Sequence, residues 1–284
     1  MLSWQIGVVK ITCVVETIIP FPEGSLLRDA TAEALKTSPS PWLFPHFAKE
    51  DGTLIASVQA LLVEAPGLRL VVDTCIGNDK PRNLTGGHKL ATPFSQHLAD
   101  AGWSRDSVDV AICTHLHADH VGWNTLLVDG KWVPTFPKAR YLIGKREFEH
   151  WSHEGDEEQQ AIMGDSVRPI FDAGLIDLAE TNHRISPELR LTPTPGHTPG
   201  HVSVMIESEG QSAVITGDIA HHPCQMAHPE WATSYDSDTQ GATATRAKLF
   251  AEWADQPILV IGTHYAAPTA GHVKRDGAAF RFEV

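Results

Sequence analysis

Apolar residues recur along the chain in short β-branched runs separated by Gly, Pro and Asn, with helical spacing between some of them. Residues 6–19 alternate as one strand. Runs at 54–64 and 68–73 flank Ala65-Pro66-Gly67, a hairpin signal. Residues 93–102 read as a helix with Thr92 as N-cap and Gly102 as its stop. Residues 108–113 form an apolar strand, and 138–143 another. Helices are predicted over 145–152 and 157–173. Strands follow at 189–194, 201–207 and 212–216, then a helix at 243–253 and a strand at 257–261. Strands alternating with helices predict an α/β fold of stacked layers, sheet inside and helices outside. The pattern runs once through each of two halves, about 1–155 and 156–284, which we take as one domain over 1–284.

Residues 20–50 break the pattern. They hold Pro20, Pro22, Pro39, Pro41 and Pro45 together with Phe21, Trp42, Phe44 and Phe47. A long loop of this kind inside a domain covers a pocket, contacts a second subunit, or staples itself to the core. Phe21 and Trp42 are therefore candidates for the pocket, and a homodimer is an expectation.

The chemistry is concentrated where strands end. Strand 108–113 runs into Thr114-His115-Leu116-His117-Ala118-Asp119-His120-Val121-Gly122. Imidazole and carboxylate suit borderline divalent metals. In extended chain, residues two apart point the same way, so His115 and His117 can grip one ion. Asp119 and His120 lie past the turn and can reach a second. Three later strands end in His197, Asp218 and His264.

Composition narrows the partners. The 284 residues carry 22 basic and 35 acidic side chains, a formal charge of −13. That argues against a nucleic-acid polyanion. No apolar run approaches the ~18 residues needed to span a bilayer. The first ten residues lack the basic start and apolar run of an export signal, which predicts a cytoplasmic protein that does not bind membrane. The four cysteines form no CxxC pair, so buried free thiols are expected.

Together, His-x-His-x-Asp-His at 115–120, Thr-Pro-Gly-His-Thr-Pro-Gly-His at 194–201 and Thr-Gly-Asp at 216–218 resemble the metallo-β-lactamase fold superfamily. The resemblance implies a four-layer αββα sandwich with the site at the edge between two sheets. It implies His115, His117 and His197 on one metal, Asp119, His120 and His264 on a second, and Asp218 bridging. Two divalent ions, zinc first with Mn, Co or Fe fitting similar sites, would share a bridging hydroxide, and Asp119 would carry a proton to the leaving group. Asp73 would have a supporting role.

Departures from sub-family patterns prune the activity. β-Lactamases of this fold carry Cys or Ser where this chain has Asp218, and di-iron members carry Glu where it has His117. Only 20 residues follow His264, too few for a glyoxalase II-type helical segment. The neighbours left are lactonases and methyl-parathion-hydrolase-like phosphotriesterases. Lactonases often place Tyr three residues after the bridging Asp, where this chain has His221. The expected reaction is hydrolysis of a small apolar lactone or ester, with phosphotriester hydrolysis as the alternative and a single-iron sulfur dioxygenase or β-lactamase less favoured. His221 is a candidate proton shuttle or ligand-orienting residue. Trp123 and Trp231 are candidates for the pocket wall.

Overall fold

The strands are apolar on both faces because each sheet is covered twice. In the computed structural model, which describes residues 1–37, 41–83 and 86–284, fifteen strands build two large sheets and one small hairpin. The first sheet takes β1 (Ser3–Ile6), β2 (Val9–Phe21), β3 (Leu54–Ala65), β4 (Leu68–Val72), β5 (Val110–Cys113), β8 (Arg140–Gly144) and β9 (Ile176–Ala179) in that order. The small hairpin is β6 (Thr125–Val128) with β7 (Lys131–Pro134). The second sheet takes β10 (Leu189–Pro193), β11 (Val202–Ser208), β12 (Gln211–Ile215), β13 (Ile258–Ile261), β14 (Ala270–Asp276) and β15 (Ala279–Glu283).

Alternate residues of one strand enter different cores. Leu61, Val63, Leu70, Val72 and Ile112 of the first sheet meet Leu191, Val204, Ala213, Ile215 and Ile261 of the second. Their neighbours Leu62, Val71, Ala111 and Tyr141 join a second core with Phe94 and Leu98 of α2 (Phe94–Asp100) and Trp151 of α4 (Lys145–His153). Val214 and Val260 lie in that core with Met226 of α7 (Cys224–Ala227) and Leu249, Phe250 and Trp253 of α8 (Thr239–Trp253). Burial of each large aliphatic contributes about 1.5–3 kcal/mol. This is the αββα sandwich, and it explains runs such as Leu61-Leu62-Val63 that lack polar alternation.

Several boundaries moved, each for a local reason. The strand expected at 6–19 is two, turned at Gly7, where φ is +54° and a Cβ would meet the Ser208 carbonyl oxygen at 2.6 Å. Thr92 does not cap α2. Pro93 holds that position, and the Thr92 hydroxyl donates to Glu16. The helix expected at 157–173 is α5 (Glu157–Ile162), a π-turn over Met163–Val167, and α6 (Arg168–Asp172). At the π-turn Asp165 meets the buried side chains of Lys80 and Arg82. Helix α8 begins four residues early because Asp238 caps it, accepting from the Gly241 N–H at 2.9 Å. Within 20–50, α1 (Ala32–Thr37) forms, and Leu27, Leu35, Leu43 and Phe47 are buried in the core. Pro39 lies outside the described residues. All four cysteines are free and buried. Among the described residues no helix is long and apolar enough to cross a membrane.

Candidate active site

Four strands of the two sheets deliver the metal-type residues to one edge. β5 ends at Cys113, and the extended residues after it set His115 and His117 side by side. The short helix α3 (Ala118–Val121) then turns Asp119 and His120 toward the same point. His197 follows β10, Asp218 follows β12 and His264 follows β13. His115 Nε2, His117 Nδ1 and His197 Nε2 lie 2.9–3.2 Å from one another. His264 Nε2 lies 3.2 Å from His120 Nε2 and 3.5 Å from Asp119 Oδ2. Asp218 sits between the two groups. Its Oδ2 is 3.3 Å from His120 Nε2 and 3.5 Å from His197 Nε2, and its Oδ1 is 3.2 Å from His264 Nε2.

The opposite ring nitrogens fix how these imidazoles present themselves. His120 Nδ1 donates to Asp73 Oδ2 at 2.9 Å, His197 Nδ1 to Asp236 Oδ1 at 2.9 Å, and His264 Nδ1 to the Ser57 carbonyl at 2.9 Å. The Thr114 hydroxyl gives its proton to Asp73 and so accepts from His115 Nδ1 at 3.2 Å. With Nδ1 committed as a donor, each Nε2 is the nitrogen left to bind an ion. His201 positions the shared carboxylate. Its Nδ1 donates to the Thr194 carbonyl, and its Nε2 accepts the Asp218 backbone N–H at 2.8 Å.

Such convergence calls for a cation. Three nitrogens around one tetrahedral zinc stand about 3.3 Å apart, close to the spacing found here. Asp218 Oδ1 is buried and accepts no hydrogen bond among the described residues. Burial, then neighbouring imidazoles, push His115 and His197 well below the ordinary histidine range, and burial brings His117 down to about 4. These three stay neutral, as ligands must. Burial also works against charge on His264, but Asp218 outweighs it and lifts that pKa to about 9. His120 is raised likewise, against burial, by Asp218, Asp73 and Asp119. Protons on those two rings do in part what a cation would do. The donors therefore fit two divalent ions, one on three imidazoles, one on two imidazoles and a carboxylate, with Asp218 between.

A family model for the metallo-beta-lactamase superfamily matches residues 56–264, the stretch that contains every one of these groups. The chain belongs to the metallo-beta-lactamase superfamily. Among curated proteins it is 28% identical over 118 residues to an N-acyl homoserine lactonase of Bacillus thuringiensis, covering 42% of this chain and 40% of that one. An N-acyl homoserine lactonase of a Bacillus species is 26% identical over 166 residues, 58% of this chain and 59% of that one. The chain thus matches about two fifths of the first relatives' length. Among solved structures, the hydrolase AbOPH of the beta lactamase superfamily superposes with a TM-score of 0.80 at 26% identity, over 99% of this chain and 96% of that one. AidC, a dizinc quorum-quenching lactonase solved with a product, gives 0.81 at 21% identity over the same shares.

As in a metallo-beta-lactamase sandwich, the donors floor an open cavity, here about 390 Å³. One wall is Ile19 and Phe21 of β2, Leu26, and Ala56 and Val58 of β3. The other is Trp151 with Asp156, Glu158, Gln159 and Ile162. Asp119, His117, His197, Asp218, His221 and His264 reach its floor. His221 Nε2 stands 3.2 Å from Asp218 Oδ2, and its buried Nδ1 has no partner among the described residues.

Of the aromatics expected in the wall, Phe21 lines the cavity and three do not. Trp123 is buried, stacked on Phe94 at 5.2 Å, with its Nε1–H donated to Glu16. Trp231 stacks on His228 at 3.9 Å while its carbonyl takes Gln225 and Arg246. Trp42 packs on the core. Each is used in packing instead, and Trp151, on the helix predicted at 145–152, lines the cavity.

Four supporting residues escaped the sequence reading. Asp236 orients His197. Glu147 accepts from Leu116 N–H and Trp151 Nε1 on one oxygen, and from the Thr198 hydroxyl and Gly200 N–H on the other. It ties the loop of His115 and His117 to the loop of His197. Glu16 lies where β2 bulges out of register with β3, and its carboxylate takes the N–H groups of Ile76 and Gly77. Gly122 lets the loop after α3 press on Ile76, where a Cβ would stand 1.8 Å from the Ile76 oxygen. Only Gly122, within the motif, had a signal. The three acids look like any exposed acid in sequence.

Proposed function

We propose that this chain is a hydrolase that opens lactones or cleaves apolar esters with two divalent cations. His115, His117 and His197 would hold one, Asp119, His120 and His264 the other, and Asp218 both. The observation that carries this reading is the pair of converging donor sets at the floor of a largely apolar cavity. The cations would supply Lewis acidity for the carbonyl oxygen and bring a water's pKa toward ~7. Zinc leads on donor type, and Mn, Co or Fe fit similar sets.

The chain's own residues do the rest. Ile19, Phe21, Leu26 and Val58 bind the apolar arm and exclude water. Asp119 faces the cavity beside His264, so its carboxylate can take a proton from the attacking water and return it to the leaving oxygen. His221 faces the cavity floor with Nε2 beside Asp218 Oδ2. Asp73, Asp236, Ser57 and His201 keep the floor rigid, so little reorganisation is needed when charge develops. The lactonase names among the relatives support a lactone. The apolar cavity equally suits a phosphotriester, which is the second reading.

Initial rates on metal-replete and chelated protein test it, with a long-chain homoserine lactone, an aromatic lactone, a phosphotriester and a cephalosporin. Metal-dependent turnover concentrated on lactones is expected. Turnover mainly of the phosphotriester would move the enzyme to the second reading. About one iron and no zinc per chain would overturn the hydrolase reading.

A further inference from the structure

Apart from its histidines, the charged side chains that line the cavity are of one sign. Asp119, Asp156, Glu158 and Asp218 line it, and no Lys or Arg does among the described residues. The bases nearest in sequence, Lys80 and Arg82, are turned into the interior against Asp165, with Arg82 Nη2 at 2.6 Å. Under the hydrolase reading, the two divalent cations more than balance Asp119 and Asp218, so the floor is net positive and suits the reacting carbonyl, while the negative charge left over lies on the wall, on Asp156 and Glu158. Both are fixed in place, Asp156 accepting the Gln159 N–H at the start of α5 and Glu158 Oε1 accepting the Asn83 N–H at 2.8 Å. Tyr235 also lines the cavity. Burial first, and then the carboxylates of Asp119 and Glu158, push its phenol up, so it stays neutral and adds no charge of its own.

Resting on that reading, we propose that Glu158, seconded by Asp156, is a specificity residue. The site takes lactones or esters whose arm ends neutral or cationic, and turns away those whose arm ends in an anionic group. Glu158 is half-buried and Asp156 exposed, so an anionic end brought beside them is repelled and a cationic end drawn in, to an extent that salt screens. Acyl groups on anionic carriers fall in the rejected class.

The test uses three phenyl esters of equal chain length whose acyl arm ends in methyl, carboxylate or trimethylammonium. Rates are measured on the metal-loaded protein, its Glu158→Gln variant and its Asp156→Asn variant. Glutamine keeps an acceptor for Asn83 and asparagine keeps the helix cap, so each removes charge and little else. The wild type should favour the methyl over the carboxylate ester on the order of tenfold in kcat/KM, with the trimethylammonium ester at least equal to the methyl. Glu158→Gln should shrink the methyl-to-carboxylate ratio severalfold, and added salt should shrink it in the wild type. Binding of the three matching phenyl ketones, followed by titration calorimetry, reads the same order without turnover. Equal wild-type ratios, an order unmoved by both variants, or tighter binding of the carboxylate ketone would overturn the proposal. No turnover of these esters or of the lactone panel, with the ketone order intact, would instead overturn the hydrolase reading and leave Glu158 as a determinant of binding alone.

Discussion

Replacing Glu147 by Gln removes a charge and almost no volume, so its effect isolates the clamp between the two ligand loops. Four donors reach the carboxylate. Leu116 N–H lies at 3.2 Å and Trp151 Nε1 at 2.6 Å from one oxygen, and the Thr198 hydroxyl at 2.8 Å and Gly200 N–H at 2.9 Å from the other. The amide oxygen can keep one pair. The amide nitrogen then faces the other pair. Thr198 can turn its hydroxyl to accept, but the Gly200 N–H cannot and is orphaned, at about 1–3 kcal/mol. The bonds that survive weaken from charged to neutral acceptors, about 1 kcal/mol each. Against this, burial pushes the Glu147 pKa up despite its four donors, so a neutral side chain recovers part of the desolvation cost. The net loss is about 2–4 kcal/mol in urea unfolding. Because Leu116 lies between two ligands and Thr198 beside a third, the loss should concentrate in the donor set. Competition with a chromophoric chelator should give a 10–100-fold weaker metal affinity, the usual range for groups behind metal ligands. Unchanged affinity together with an unchanged urea midpoint would refute the clamp.

Three further outcomes follow from the packing. Gly122→Ala places a Cβ 1.8 Å from the Ile76 oxygen and 2.6 Å from the Cys75 oxygen. Backbone must move, so thermal denaturation should show a loss of at least about 2 kcal/mol. Asp165→Asn leaves Arg82 and Lys80 buried without their anion, costing about 3–5 kcal/mol at pH 7. Burial alone would raise the Asp165 pKa, but the Arg82 hydrogen bonds and the Lys80 charge outweigh it and hold it low. Its contribution is therefore full above the ordinary carboxylate value near 4 and is lost as pH falls through the lower folded value. Paired urea titrations should show the gap between wild type and variant closing below about pH 4. Trp123→Phe keeps the stack on Phe94 but loses the bond to Glu16, so stability should fall by about 1.5–3 kcal/mol while KM stays unchanged. A raised KM with unchanged stability would return Trp123 to the cavity wall.

How much could be read from the chain depended on whether the signal was local. His115 to His120 follow a strand directly, and the alternation of an extended backbone pairs His115 with His117 before any fold is known. The layers were legible because strand and helix patterns alternate. The strands β14 and β15 were not, since Ala270–Asp276 and Ala279–Glu283 are short and interrupted by Gly and charged residues. The aromatics misled for a different reason. Whether a tryptophan faces a cavity or a core depends on which element crosses it, and Phe94, 29 positions before Trp123 in sequence, decides that case. Glu147 and Glu16 carried no signal at all, because an acid's role here is set by donors from distant loops.

The two walls of the cavity differ in how freely they can change. On β3, Ala56 and Val58 flank Ser57, which takes the His264 Nδ1–H on its carbonyl and gives its own N–H to the His264 carbonyl. Any substitution that shifts this stretch also tilts a ligand, so altered substrate fit and altered metal chemistry arrive together. Ile19, Phe21 and Leu26 have no such tie among the described residues, while on the opposite side Trp151, packed on His117 and bonded to Glu147, and Gln159, bonded to the Leu116 carbonyl, join the wall to the motif. Adaptation to new substrates has a cheap direction and a costly one. Lineages or libraries drifting toward a new arm should accumulate changes at 19, 21, 26, 158 and 162 and leave 56–58 alone.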